Sequence, residues 1–202
     1  MLSIPFSSHQ IDLIVIGGSA GGIQAMSELL EGLPANLSAA VTLVLHMPPN
    51  RPSLLPDLFG RRCKLPVKEA EDKEPIMPGT VYLASPDYHL LIEPERRFAL
   101  SCDEPLNFSR PSIDMLFESA AMAYRTAVLG IVLSGANSDG AAGLTAIRSA
   151  GGLGWVQLPS EAQAAAMPIA AIDRAGADSV LTLGKMTELL ASAHTAAKET
   201  NA

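Results

Sequence analysis

Ile11-Asp12-Leu13-Ile14-Val15-Ile16-Gly17-Gly18-Ser19-Ala20-Gly21-Gly22 decides how this chain folds. A short apolar run, closed by glycines and followed by a helical pattern, reads as a buried strand, a tight turn and a helix. The turn spells G-x-S-x-G. In that pattern a sharp strand-to-helix turn pushes a serine hydroxyl out at the edge of a sheet. The helix that follows aims backbone N–H groups at the same spot, where they can stabilise a developing oxyanion. Ser19 is the candidate nucleophile. Two other readings compete. A dinucleotide-binding turn wants glycine at its first, third and sixth positions, and counted from Gly17 the third is Ser19. No acidic residue closes a second strand about 20 residues on. The plainer alternative is that Ser19 only caps the helix.

Outward from this turn, strands and helices alternate. The first helix runs from Gly21 to Glu31, with Ile23, Met26, Leu30 and Leu33 on one face and Gly32 and Pro34 at its end. A second strand, Val41 to His46, stops at Met47-Pro48-Pro49. Ser53 to Arg62 reads as a short helix and Lys64 to Glu69 as a short strand. Thr80–Ala84, Tyr88–Glu93 and Arg97–Ser101 are three short runs parted by turn residues, which predicts an antiparallel meander. Then come a helix over Ser112–Tyr124, a strand over Ala127–Leu133, a polar turn, and a helix over Ala141–Ser149. A strand over Leu153–Leu158, a helix opened by Pro168, a strand over Ser179–Leu183 and a helix over Lys185–Lys198 complete the order. The pattern predicts an α/β fold: a doubly wound, mainly parallel sheet with helices on both faces and a small antiparallel insertion. Residues 1–10 read as a tail and 11–198 as one domain.

The bulk composition narrows the function. The 202 residues carry a net charge of −7, and Arg61-Arg62 and Arg96-Arg97 are isolated pairs, which argues against nucleic acid or an anionic membrane as partner. Cys63 and Cys102 stand far apart outside any C-x-x-C, so neither a metal site nor a disulfide framework is expected. Met1 to Gln10 has no signal-peptide pattern, and no run is long enough to span a membrane. These features predict a soluble cytoplasmic protein.

A serine hydroxyl needs a base within reach, and the base needs an orienting partner. Of four histidines, His9 falls in the tail, His194 in the last helix and His89 in the meander, while His46 ends the second parallel strand. Ligands of open α/β sheets bind beyond the carboxyl ends of the strands. If the first two strands are neighbours, about 4.8 Å apart, Ser19 and His46 emerge on one rim. The alternative for His46 is a satisfied core histidine. Asp139, after the strand Ala127–Leu133, is the best orienting acid, with helix capping as its plain alternative. Asp87 in the hairpin turn and Asp114 in the first turn of a helix have structural explanations and poor rim positions. Ser134-Gly135-Ala136 can lend backbone N–H groups to an oxyanion hole. The order Ser, His, Asp differs from the α/β-hydrolase order, so analogy with lipases would mislead.

Several ordered motifs together resemble one family. Val15-Ile16-Gly17-Gly18-Ser19-Ala20-Gly21-Gly22, Leu45-His46-Met47-Pro48-Pro49, Val67-Lys68-Glu69-Ala70-Glu71-Asp72, Pro78 to Leu91, Arg110-Pro111-Ser112-Ile113-Asp114-Met115-Leu116-Phe117 and Asp139-Gly140-Ala141-Ala142-Gly143-Leu144 are similar to the catalytic domain of CheB-type chemotaxis protein-glutamate methylesterases. The resemblance spans Asp12 to Leu183. It implies a catalytic triad that maps onto Ser19, His46 and Asp139, with backbone N–H groups at Ala20 and Ala136 for the oxyanion. It implies hydrolysis of glutamate γ-methyl esters on chemoreceptor cytoplasmic helices, with glutamine deamidation in some members, and no cofactor or metal. Three departures stand out. The usual Thr-Gly-Met-Gly is Ser134-Gly135-Ala136-Asn137, the usual Gly-Met-Pro is Ala166-Met167-Pro168, and only Met1 to Gln10 precede the first strand, where most members carry a receiver domain. A stand-alone enzyme, regulated by a separate receiver-type protein, is therefore expected. The alternatives are a weakly catalytic receptor-docking module of the same fold and, more remotely, a nucleotide-binding module.

Overall fold

Leu13–Gly18 forms β1 with all six residues buried, which is why its apolar run does not alternate: a parallel strand covered on both faces has no solvent side. The computed structural model describes residues 10–47 and 54–192. In order, the elements are β1, α1 (Gly22–Gly32), β2 (Ala40–Leu45), α2 (Leu55–Gly60), β3 (Val67–Glu69), β4 (Val81–Leu83), β5 (His89–Ile92) and β6 (Phe98–Ser101). After these come α3 (Ile113–Tyr124), β7 (Val128–Val132), α4 (Ala141–Ser149), β8 (Leu153–Gln157), α5 (Ala166–Ala175), β9 (Ser179–Leu181) and α6 (Leu183–Ser192). Residues 1–9 of the expected tail 1–10, the stop at Pro48-Pro49, the helix start at Ser53 and the last helix beyond 192, with His9 and His194, lie outside the described residues.

Seven strands form one sheet in the order β3-β4-β2-β1-β7-β8-β9, and every pairing is parallel. Alternation sends Ile14 and Ile16 to one face, where Met26 and Leu29 of α1, Phe59 of α2 and Met186 of α6 cover them. Leu13 and Val15 point to the other, against Leu116 and Phe117 of α3, Leu144 of α4 and Met167 of α5. The doubly wound architecture follows. The chain leaves β1 for β2 on one side and returns to β7 on the other, so β1 marks the point where strand order reverses and a crevice opens at the carboxyl ends.

Two expectations need correction. Val81-Tyr82-Leu83 does not belong to a meander: β4 pairs parallel with both β2 and β3, and only β5 and β6 are antiparallel. A three-residue strand buried on both faces shows no periodicity to separate it from its neighbours. On α1, Ile23 is 41% exposed. The buried stripe is Ala25, Met26, Leu29 and Leu30 instead.

Among the described residues two buried side-chain atoms have no partner, Thr42 Oγ1 and Arg110 Nε. Thr42 lies inside β2, fully buried, and its Oγ1 makes no hydrogen bond. Valine has nearly the same shape without the hydroxyl, so Thr42→Val relieves a desolvated polar atom. It should stabilise the fold by about 1 kcal/mol. Chemical denaturation checks this, and a loss of stability would contradict it.

Candidate active site

The site is built where three neighbouring strands end. In the register of β1 and β2, Gly18 stands opposite Leu45, so Ser19 and His46 are the next residues off two adjacent strands. The His46 N–H donates to Gly18 O at 3.2 Å, which holds both chain exits together. On the other side the Ser19 N–H donates to Ser134 O at 2.9 Å, just past β7. Gly21 sits at φ 79°, and a Cβ there would lie 2.7 Å from Gln163 Cβ and 2.9 Å from Ser134 Oγ. Only glycine allows the elbow to turn this tightly against the neighbouring loops.

Ser134 staples the elbow from beneath. Its Oγ donates to Ala20 O at 2.6 Å and accepts from the Ala164 N–H at 2.9 Å. The backbone N–H groups of Ala20 and Ala136, both at exposed positions, make no hydrogen bond among the described residues. Ser19 is half-buried, and its Oγ likewise makes none. The replacement of methionine by Ala136 leaves that main-chain donor in place. Asn137, in the same departure, has a structural use: its Oδ1 accepts the Asp139 N–H at 3.2 Å and shapes the turn.

Asp139 is fully buried and lies 93 residues from His46 in sequence, yet His46 Nε2 donates to its Oδ2 at 2.9 Å. The capping alternative turns out to be true of a different helix. Oδ2 accepts the Ile113 N–H at 2.7 Å, and Oδ1 accepts the Asp114 N–H at 3.1 Å and the Ser112 hydroxyl at 2.9 Å, so Asp139 caps α3. It also accepts the Gly140 N–H at 3.2 Å, at the start of its own helix. Burial alone would push this carboxyl up. Hydrogen bonds from His46, Ile113 and Asp114 outweigh that and hold it below the usual carboxylate range.

Asp114, whose place in the first turn of a helix offers a purely structural explanation, is part of this cluster. Its Oδ1 accepts the N–H groups of Gly140 at 2.9 Å and Gly143 at 2.7 Å, so it caps α4 as Asp139 caps α3. Burial pushes Asp114 up to about 6, and the neighbouring charge of Asp139 adds to this. Between an unfolded value of about 3.9 and the folded value, the native state holds a proton that the unfolded chain has lost. The contribution of Asp114 is therefore fully present below pH 4 and is lost as pH rises through 6. Asp114→Asn, which keeps a neutral group of the same shape, should remove that part of the slope of unfolding free energy against pH between 4 and 6. Identical slopes in both proteins would contradict the assignment.

Residues 102–112, between β6 and α3, supply groups that sequence reasoning missed. Asn107 Nδ2 donates to Asp114 Oδ2 at 3.2 Å and to Asp139 Oδ1 at 3.3 Å. Ser109 Oγ lies 3.3 Å from His46 Nδ1. A cleft beside the histidine is lined by His46, Asp87, Phe108, Ser109 and Arg110. Asp87, in the turn before β5, thus faces it. His89 is buried away from the cleft: its Nδ1 accepts the Ser112 N–H at 3.1 Å and its Nε2 donates to Glu104 O at 3.2 Å, bracing this loop. Irregular loops carry no periodic signal, and only the Arg110-Pro111-Ser112 motif pointed here. Among the described residues no group of His, Cys, Asp and Glu is placed to hold a metal ion, and no helix is long and apolar enough to cross a membrane.

Comparison with known proteins bears on the fold and the family. A relative from Leptospira interrogans is 46% identical over 178 residues, covering 88% of this chain and 92% of its own length. One from Trichodesmium erythraeum, named protein-glutamate methylesterase/protein-glutamine glutaminase, is 36% identical and covers 89% of this chain. This chain spans only 52% of the length of that relative. The crystal structure of the Thermotoga maritima CheB methylesterase catalytic domain superposes with a TM-score of 0.86 at 31% identity, covering 90% of this chain and 98% of that one. The family model described as CheB methylesterase matches residues 14–190. With the model matching most of the chain and relatives this similar, the chain belongs to the CheB methylesterase family of hydrolases.

Proposed function

We propose that this protein removes methyl groups from glutamate γ-methyl esters on chemoreceptor cytoplasmic helices, giving glutamate and methanol, and that the same site deamidates receptor glutamines. Ser19, His46 and Asp139 are its nucleophile, base and orienting acid. The observation that carries this reading is the part-buried hydrogen bond of 2.9 Å between His46 and the buried Asp139, at a strand end adjacent to Ser19.

The chemistry follows from the protonation pattern. An ionised carboxylate only accepts, so the ring proton of His46 sits on Nε2, facing Asp139, and Nδ1 carries the basic lone pair. Ser19 Oγ attacks the ester carbonyl while Nδ1 takes its proton. The N–H groups of Ala20 and Ala136 stabilise the negative oxygen of the tetrahedral intermediate. The Nδ1–H then protonates the departing methoxide, and methanol leaves. Water, deprotonated by Nδ1, attacks the acyl-enzyme; Nδ1–H then returns that proton to the departing Ser19 Oγ, freeing glutamate. On a glutamine the same steps release ammonia. Asp139⁻ stabilises the imidazolium at each stage.

Exposed Met47, Leu106 and Phe108 lie near His46 and suit the apolar stripe of an amphipathic helix. The test is methanol release from a methylated chemoreceptor cytoplasmic fragment. Turnover by the folded protein is expected; folded protein that releases no methanol from any methylated receptor of its own cell overturns the proposal.

A further inference from the structure

The His46 Nδ1 lone pair is the atom on which the proposed reaction turns, and a second hydroxyl occupies it. Ser109 Oγ, 3.3 Å away, is its hydrogen-bond partner, whereas Ser19 Oγ has none among the described residues. With the ring proton on Nε2, Nδ1 can only accept, so the Ser109 O–H donates to it. A neutral imidazole has one such lone pair. Ser19 and Ser109 cannot both use it at once.

The hold on Ser109 is firm. Leu106 and Ser109 close a tight turn through two hydrogen bonds, Leu106 N–H to Ser109 O at 3.2 Å and Ser109 N–H to Leu106 O at 2.9 Å. The two residues between them, Asn107 at φ 51° and Phe108 at φ 62°, both adopt the left-handed region, as such a turn demands. Asn107 is tied in turn to Asp114 and Asp139. The turn that carries Ser109 is thus anchored on the same carboxylate that orients the histidine.

Building on the hydrolase reading above, we propose that Ser109 is a positioning residue that latches the base: in the substrate-free protein its hydroxyl ties up the Nδ1 lone pair that must receive the Ser19 proton. Its hydroxyl must turn away before Ser19 can react. The latch holds the ring in place and slows the nucleophile.

The test compares wild type, Ser109→Ala and Ser109→Thr by the rate at which a fluorophosphonate probe inactivates each, with the ¹⁵N resonance of His46 Nδ1 as second readout. Ser109→Ala should react about three- to tenfold faster, the worth of one neutral hydrogen bond. Ser109→Thr keeps a hydroxyl and should stay at the wild-type rate. The Nδ1 resonance should move downfield in Ser109→Ala as its hydrogen bond is lost, an effect that a purely structural role would not produce. An unchanged or slower rate in Ser109→Ala overturns the latch, and so does an unmoved resonance. If all three proteins are labelled at one rate, only the latch falls. If none is labelled, the hydrolase reading falls and the latch falls with it.

Discussion

Ser19→Ala should cut methanol release from methylated receptor by at least about 10⁴-fold and leave thermal unfolding where it was. The two halves of this expectation have separate grounds. Loss of activity follows because no other hydroxyl comes off β1, and only the exit of β1 lies between the donors after β7 and the histidine after β2. Unchanged stability follows because Ser19 is half-buried and its Oγ holds nothing among the described residues. The structural bonds of the turn belong to the backbone and to Ser134, and alanine keeps them all. Substitutions of this kind stay within about 0.5 kcal/mol. Turnover within about tenfold of wild type would remove Ser19 from the chemistry. A large fall in melting temperature would instead make it a structural residue.

Asp139→Asn should damage both activity and fold. The carboxylate accepts from His46, Ile113, Asp114, Ser112 and Asn107, and asparagine turns one accepting oxygen into a donor. If the new amide faces Oδ2's partners, it opposes both His46 Nε2–H and the Ile113 N–H. If it faces the other way, it opposes Ser112, Asp114 and Asn107. Either orientation leaves buried donors unpaired, which costs about 2–4 kcal/mol. The histidine loses its anchor as well and can present the wrong ring nitrogen to Ser19. A fall of about 10⁴-fold in kcat is the scale for such a change. Denaturant unfolding and methanol release read the two effects on one preparation. Wild-type stability with wild-type kcat would show that Asp139 neither caps α3 nor orients the base. The same capping predicts acid sensitivity: because this carboxyl is held below its usual range, its contribution is present above pH 4 and is lost as pH falls further, through its folded value.

The legible parts of the fold were those with physical redundancy. β1, β2 and β7 are apolar on both faces and end in glycines, a histidine or a polar turn, so composition and punctuation agree on where they run. The convergence of Ser19 and His46 needed only that β1 and β2 be adjacent. Asp139 followed from its place after the third strand. Beyond that, tertiary packing decides. Val81-Tyr82-Leu83 could sit beside the hairpin or inside the sheet, and only its pairing with β2 and β3 separates the two. Asp114 had a sufficient local explanation as a first-turn acid of α3. Its role comes from the start of α4, which packs against α3 and offers two N–H groups. Ser109 and Asn107 lie in a loop whose conformation has no sequence period, so nothing in one dimension places a hydroxyl on the far nitrogen of His46.

The nucleotide-binding reading finds no favour in the comparisons, and the docking alternative rested on Ala136 and Asn137 alone. Ala136 retains its main-chain donor, and Asn137 supports the turn that bears Asp139. Both departures are compatible with a working site.

One measurement reaches the central claim directly: react the wild-type protein with a fluorophosphonate at neutral pH, digest it and locate the adduct by tandem mass spectrometry. An activated alcohol beside a His–Asp pair should yield a single phosphonylated peptide bearing the modification on Ser19, and none in protein unfolded before exposure. An adduct on another residue, or intact folded protein that never acquires one, would contradict the account.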